Sequence, residues 1–246
     1  MNKSILVIFI LAFSGNAYSL NTFIANYKLS INDLTVATET RALEKFVEQY
    51  VYTAKAKTIG FAKLLGDISI EAKSMFMINS TGVNSQKYIM NEKRDKTVTK
   101  SYSLNFSSED KIVISEPTIS NPDTTTFESE DGNILDPLSL FMALSNDLEK
   151  YPNKIYFSYQ VADGKSLKNK KYIKTSVKSF MINNKIENVI MIEQADSKNG
   201  MWAYFSPKHQ FLPVLIEKTK GESIHRYALT GLKVELENSQ TLQVIF

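Results

Sequence analysis

Histidines are the first side chains to test for chemistry, because they are the commonest general bases and metal ligands. This chain has two, His209 and His225, and neither has a metal-ligand spacing such as His-x-x-x-His. His209 lies in a turn-like Ser-Pro-Lys-His-Gln segment, and His225 alternates with Tyr227 in a strand-like run. Nucleophile-elbow, Walker and Gly-x-Gly-x-x-Gly motifs are absent, and so is cysteine, which excludes a thiolate zinc site and a cysteine nucleophile. We therefore expect structural histidines, no cofactor and no metal, and rank a hydrolase last.

Aromatic residues are the more informative feature, since the chain has 14 Phe, 12 Tyr and one Trp. On strand faces such rings form a core and cross-strand pairs, or they line a cavity for an apolar ligand. The sequence favours core packing and leaves the ligand alternative open. The predicted lining residues are Tyr50, Tyr52, Phe76, Leu140, Phe141, Leu144 and Trp202.

Charge is unevenly distributed, although the formal net charge is only +3. Eight acids and one lysine lie between residues 109 and 136, and six lysines and no acid lie between residues 165 and 178. Lys168, Lys170 and Lys171 could contact anionic lipid headgroups or an acidic partner. The favoured alternative is a solvated hairpin whose lysines discourage edge-to-edge pairing. With three arginines in the whole chain, the composition gives no support to nucleic-acid binding.

Period-two alternation, the pattern of strands with one buried face, runs through most of the chain. It is clearest in Phe23–Ile31, Tyr50–Ala56, Ile68–Ile78, Tyr102–Phe106 and Ile155–Val161, and it continues to Leu236. Turn signals separate these runs, so the sequence predicts ten or more strands in a meander. The expected fold is mainly β (α+β): a large curved antiparallel sheet or open half-barrel with one main packed helix.

That helix is predicted over Asp136–Lys150. Asp136 suits the N-cap, Pro137 suits the first helical position, and Pro152 ends the helix. A second, short helical segment is predicted at 59–65, and 40–48 is ambiguous between helix and strand.

The N-terminus has the pattern of a secretory signal peptide. Lys3 precedes nine apolar residues from Ile5 to Phe13, and Ala17 and Ser19 occupy the −3 and −1 positions of a cleavage site before Leu20. We predict that residues 1–19 are removed and that 20–246 form one periplasmic domain, with a long acidic loop at about 116–135. No later segment is long and apolar enough to span a membrane as a helix.

The order of several short motifs resembles the bacterial exported family known as domain of unknown function 3108. They are Phe23-x-Ala25-x-Tyr27, Glu48-x-Tyr50-x-Tyr52-x-Ala54-x-Ala56, Asp136-Pro137-Leu138-Ser139-Leu140 and Leu212-Pro213-Val214. The resemblance covers nearly all of the chain after the signal peptide, and the acid-rich insert before Asp136 departs from it. It implies a periplasmic protein with an extended antiparallel sheet and no established activity.

Two hypotheses of different classes follow. The first is a non-enzymatic binding or carrier-like protein, with a lipid or other apolar ligand in the concavity of the half-barrel. The second is a structural or interaction protein of the cell envelope, with a protein partner and no ligand.

Overall fold

The computed structural model describes residues 20–107, 112–116, 123–129, 133–182, 185–195, 200–235 and 241–245. The predicted signal peptide lies outside these ranges, as does part of the acidic stretch. The strands are β1 Thr22–Ile31, β2 Leu34–Phe46, β3 Gln49–Thr58, β4 Ile68–Asn79, β5 Gly82–Arg94, β6 Thr97–Ser107, β7 Ile112–Glu116, β8 Thr125–Glu128, β9 Ile134–Leu135, β10 Tyr156–Ala162, β11 Leu167–Ile182, β12 Lys185–Gln194, β13 Met201–Ser206, β14 Leu212–Lys220, β15 Ser223–Glu235 and β16 Thr241–Ile245. Helix α1 is Ser139–Lys150, and 3-10 helices cover Gly60–Leu65 and Pro207–His209.

All of these strands join one sheet, in the order β8-β7-β6-β5-β4-β3-β2-β1-β15-β14-β13-β12-β11-β10-β9. The chain therefore builds one meander outwards from β1 to β8, crosses to the opposite edge at β9, and returns through a second meander to β15. The two meanders meet where β1 pairs with β15. β16 pairs with Gly231–Glu235 of β15, beyond the part of that strand that β14 covers. The predicted meander is confirmed within each half.

Alternating burial explains why these segments are strands. Phe23, Ala25 and Tyr27 of β1 are buried, and the residues between them are exposed. The ambiguous segment 40–48 belongs largely to β2, whose buried face carries Ala37, Glu39, Arg41 and Leu43. Because two of those four residues are charged, the period-two hydrophobic pattern of β2 is weak. The sequence therefore does not distinguish a strand from a helix at 40–48.

Helix α1 is predicted over Asp136–Lys150, and its α-helical turns cover Ser139–Lys150, with a turn at 137–138 before them. Asp136 Oδ1 accepts hydrogen bonds from the backbone nitrogens of Leu138 at 2.8 Å and Ser139 at 2.9 Å, and the Asp136 carbonyl accepts one from Leu140 at 3.1 Å. Asp136 thus acts as the N-cap. The helix also explains why β9 and β10 are the parallel pair of an otherwise antiparallel sheet, since parallel neighbours require a crossover connection.

The sheet curves without closing, because the path of paired strands ends at β8 on one side and β9 on the other. Helix α1 lies in the concavity and contacts β4, β5, β10 and β14. Its Leu140, Leu144 and Leu148 join one continuous core with buried residues of both meanders. The predicted fold, a large curved sheet or open half-barrel around one main helix, is confirmed.

Two local predictions need correction. The stretch predicted as one loop at about 116–135 contains β8 and β9, so it is not loop throughout. The predicted helix at 59–65 is a 3-10 helix over Gly60–Leu65 that has no buried residue. It begins at Gly60 and is followed by Gly66, both at positive φ (53° and 142°), a backbone conformation that favours glycine.

A candidate ligand-binding face inside the half-barrel

Most of the predicted lining residues come together in the core. Tyr50 stacks on Phe76 with ring centroids 5.5 Å apart, and Tyr52 meets Phe23 edge-to-face at 5.9 Å. Leu140 and Leu144 of α1 are buried in the same cluster, and Phe141 packs against it partly buried. These side chains fill the concave side beneath the helix. None of the predicted lining residues borders the cavity of about 480 Å³ beside α1, or the cavity of about 300 Å³ between the start of β1 and the end of β2.

Trp202 is placed differently. On β13 it lies on the opposite face from the buried Ala203 and Phe205, because successive side chains of a strand alternate. Its cross-strand neighbour is Glu217, and its indole packs so closely over Gly200 that a Cβ there would collide with the ring. The structure therefore does not bring Trp202 onto the face that carries Tyr50 and Tyr52.

An uncovered strip of small apolar side chains continues this concave face beyond the helix. Ala54 pairs with Ala72, and Ala56 pairs with Ile70, in adjacent rows of β3 and β4. All four lie on the same face as the buried Tyr52 and Ser74, yet Ala56, Ile70 and Ala72 retain exposed surface. We call Ala54, Ala56, Ile70 and Ala72 the alanine strip. Asp136, just before helix α1, contacts Ser74 in the row next to Ala72. The exposed surface that remains on Ala56, Ile70 and Ala72 shows that the strip beyond this row is not covered.

A buried ion pair lies at the inner end of the alanine strip. Arg41 faces Ala54 across the β2–β3 ladder, and Glu39 faces Ala56. Arg41 is 5% exposed and Glu39 7%. The guanidinium donates from Nε to Glu39 Oε1 at 3.0 Å and from Nη2 to Glu39 Oε2 at 3.2 Å. The remaining nitrogen, Nη1, is buried and has no hydrogen-bond partner among the described residues.

Aromatic rings hold this guanidinium in place. Its central carbon lies 4.9 Å from the ring centre of Tyr27 and 5.5 Å from that of Phe141, both within the range of cation–π attraction. Burial opposes the charge of Arg41, but Tyr52, Glu39 and Tyr27 outweigh it and raise the pKa of Arg41 well above its usual value. Burial also raises the pKa of Tyr52, although Arg41 acts in the opposite direction. The site therefore keeps a permanent cation beside neutral phenols.

Sequence reasoning missed Arg41 and Glu39. The signal that could have found them is the spacing Ala37-x-Glu39-x-Arg41-x-Leu43, which places two opposite charges on one face of a strand between apolar residues. The strand pairing places Arg41 between two small side chains, Ala25 of β1 and Ala54 of β3.

The three predicted surface lysines have three different environments. Lys168 Nζ forms an ion pair with Asp163 Oδ2 at 2.5 Å. Lys170 is partly buried, and burial together with Lys218 and Lys168 lowers its pKa. Lys171 is exposed on the opposite face of β11. The lysine run therefore does not form one continuous cationic face.

Lys171 belongs to a polar cavity of about 480 Å³ between α1 and the β10–β11 edge. Asn133, Asp147, Tyr159 and Gln160 also line it. The Tyr159 hydroxyl donates to Asp147 Oδ2 at 2.9 Å, which links the helix to β10. With mostly polar walls, this cavity suits water or a polar solute better than an apolar chain.

The histidines lie away from both cavities. His209 is buried with Nε2 3.3 Å from Glu187 Oε2, and Lys208 also contacts Glu187 at 2.6 Å. Within the described ranges, no cluster of three or more His, Asp or Glu side chains could hold a metal ion. No helix in that part of the chain is long and apolar enough to cross a membrane.

Neither a protein-family profile nor a curated protein matches this chain. Among solved structures, it is similar to a beta-barrel-like protein of domain of unknown function DUF1849 from Brucella abortus, with a TM-score of 0.60, 11% identity, and coverage of 88% of this chain and 99% of that one. A DUF1089 family protein from Pseudomonas aeruginosa matches at a TM-score of 0.38 and 9% identity, over 76% of this chain and 90% of that one. The first likeness supports a beta-barrel-like fold for this chain.

Proposed function

We propose that this protein is a non-enzymatic binding or carrier-like protein that holds a lipid or another apolar group in its half-barrel. One observation carries the proposal: α1 covers part of the concave face, and the alanine strip beside it is apolar, inward-facing and open. Because alanine side chains are small, they leave a shallow apolar depression on the face of the sheet. An acyl chain that lies in this depression would bury its methylene groups. The likeness to a beta-barrel-like fold is compatible with this function.

The direct test is to purify the protein from the bacterial periplasm and to identify bound lipids by native mass spectrometry and solvent extraction. A fluorescent acyl probe then gives an affinity. Ala72→Phe places a ring on the alanine strip and is expected to weaken probe binding about tenfold or more, because it fills the space that the chain would occupy.

The matched control is Lys73→Phe, which adds the same ring to the next residue of β4, on the outer face. It is expected to leave the affinity unchanged. An empty wild-type protein that binds no acyl probe would overturn the proposal, and so would equal losses in both variants.

Export to the periplasm and membership of the domain of unknown function 3108 family are part of the same proposal. The signal-peptide pattern supports the first and the order of motifs supports the second. Amino-terminal sequencing of the protein recovered from a periplasmic fraction is expected to start at Leu20. Recovery of uncleaved protein in the cytoplasm would contradict export.

A second candidate function, an interaction protein of the envelope, is favoured by the 3-10 helix Gly60–Leu65. Its Phe61, Leu64 and Leu65 are 64%, 79% and 76% exposed, an apolar patch at one tip of the sheet. In-cell crosslinking tests this candidate. Serine at these three positions should abolish a crosslink made through the patch, and glutamate at Lys168, Lys170 and Lys171 should abolish one made through the lysines.

A further inference from the structure

We propose that Arg41 and Glu39 recognise an uncharged acyl oxygen, the carbonyl of an ester or amide, at the inner end of the alanine strip. This inference rests on the proposed function, because it names the polar group of the ligand that the half-barrel would hold. It makes the two residues the specificity determinants of the site.

Arg41 has a hydrogen-bond donor that no acceptor in the described part of the protein uses. Arginine has five N–H groups in a rigid fork, and Glu39 takes one from Nε and one from Nη2. Nη1 carries two N–H groups, is buried, and has no hydrogen-bond partner among the described residues. The Tyr52 hydroxyl is also hydrogen-bonded to the Arg41 side chain, which leaves Nη1 as the donor without a partner. Buried donors in folded proteins are almost always satisfied by protein, water or ligand. An acceptor oxygen is therefore the group that this position requires.

The charge of the Arg41–Glu39 pair favours an uncharged ligand group. Glu39 binds Arg41 through both carboxylate oxygens, so the pair is neutral as a unit. A ligand carboxylate at Nη1 would add a negative charge close to Glu39 in a buried site, where burying an uncompensated charge is costly. A carbonyl oxygen supplies the acceptor without that charge, so an ester or amide fits better than a free acid.

The guanidinium of Arg41 is held in a fixed position beside the alanine strip. Tyr27 and Phe141 pack on the guanidinium, so its Nη1 cannot swing out to solvent without giving up both contacts. Ala25 and Ala54 flank Arg41 in the sheet, and Ala72 follows Ala54 in the same row towards the open side. The alanine strip thus leads from the open side to Arg41, and a ligand whose carbonyl meets Nη1 would run its apolar chain outwards along it.

The test compares three ligands of equal chain length: a long-chain fatty acid, its methyl ester and the corresponding alkane. Each competes with a fluorescent acyl probe at mildly alkaline pH, where the acid is ionised. The wild-type protein is expected to bind the ester about tenfold more tightly than either the alkane or the ionised acid, because one satisfied buried donor is an effect of that size.

Two variants separate the roles of the pair. Glu39→Gln leaves the guanidinium without its counter-charge, and the ligand preference is expected to reverse in favour of the acid. The double variant Glu39→Gln/Arg41→Met removes donor and charge together without leaving a lone buried ion, and it is expected to bind ester and alkane equally. Circular dichroism of each variant confirms that the sheet is retained.

The outcomes distinguish this inference from the function on which it rests. If no ligand binds, including the alkane, the proposed function fails. If all three ligands bind the wild-type protein equally, or if Glu39→Gln leaves the preference unchanged, the carrier function stands, Nη1 is satisfied by water, and the inference is overturned. An ionised acid that binds the wild-type protein more tightly than the ester also overturns it.

Discussion

Asp136 shows how one buried carboxylate can connect three elements. Its Oδ1 caps α1, and its Oδ2 accepts hydrogen bonds from the hydroxyls of Ser74 on β4 at 2.7 Å and Ser85 on β5 at 3.0 Å. Burial raises the pKa of Asp136, and the hydrogen bonds from Ser139, Ser74 and Ser85 act in the opposite direction. The residue therefore fixes both the start of the helix and its place on the sheet.

Replacing Asp136 by Ala is expected to lower the free energy of unfolding by about 3 kcal/mol, because the variant loses the cap and leaves buried donors unsatisfied. Asp136→Asn retains one acceptor oxygen for the cap and is expected to cost about 1 kcal/mol. Urea denaturation measures both values. The exposed Glu222 provides the control, since Glu222→Ala should have no measurable effect; equal costs for the Ala and Asn variants would contradict the assigned role.

His209 gives the protein a predictable response to acid. Burial lowers the pKa of His209, an effect that Lys208 reinforces and Glu187 opposes. Below about pH 6.5 the unfolded chain binds a proton that the folded protein resists, so stability decreases as the pH falls through this range. His209→Gln removes that contribution. Urea midpoints measured from about pH 7.5 to about pH 5.5 should fall less steeply in the variant than in the wild type; identical slopes would contradict the prediction.

At the scale of elements, α1 and the 3-10 helix Gly60–Leu65 have opposite relations to the sheet. Helix α1 buries Leu140, Leu144 and Leu148 in the concavity. The 3-10 helix projects between β3 and β4 with its apolar side chains in solvent. A segment whose side chains are not buried contributes little to stability, and its exposed apolar surface is the feature on which the proposed interaction role rests.

Serine at Phe61, Leu64 and Leu65 together is expected to change the free energy of unfolding by no more than about 0.5 kcal/mol, because exposed side chains lose little on truncation. Leu144→Ser is the comparison, and its fully buried position predicts a loss of about 3 kcal/mol or more. Thermal unfolding of the two variants measures the difference. A large loss in the triple variant would show that the 3-10 helix packs in the folded protein after all.

At the scale of the whole molecule, contacts between the two ends of the sheet replace the missing strand pairing. Ser115 Oγ of β7 donates to the carbonyl of Gly164, in the turn between β10 and β11, at 3.3 Å. The ring of Tyr102 on β6 covers Gly164, and Asn133 donates to the carbonyl of Val83. The half-barrel is thus held across its open side by side chains, while α1 occupies the interior.

Gly164→Ala is expected to weaken this contact strongly. Gly164 has a φ of 83°, and a Cβ there would collide with the Tyr102 ring, which the Tyr88 ring 5.6 Å away keeps from moving aside. We expect a loss of about 3 kcal/mol, the sum of backbone strain and overpacking. Gly221→Ala is the matched control, since Gly221 has a φ of 61° and nothing within 4 Å of its Cβ. It should cost about 1 kcal/mol, and equal losses would show that strain alone acts at Gly164.

The local elements could be predicted from the amino-acid sequence. Alternation placed Phe23, Ala25 and Tyr27 on one buried face, and Asp136 with Pro137 marked the start of α1, because capping and periodicity depend only on near neighbours. The same reasoning placed Tyr50, Tyr52 and Phe76 near one another and near the helix.

How those elements pair in the sheet could not be predicted from local patterns. The pairing of β1 with β15 connects residues about 200 positions apart, and nothing in either strand specifies its partner. The face of Trp202 relative to that of Tyr50 and Tyr52 follows from that pairing, because it joins the two meanders. Charged residues are normally exposed, so the local sequence pattern predicts that Arg41 and Glu39 lie on the surface. In the folded protein the surrounding sheet, Tyr27 and Phe141 bury this ion pair on the concave face.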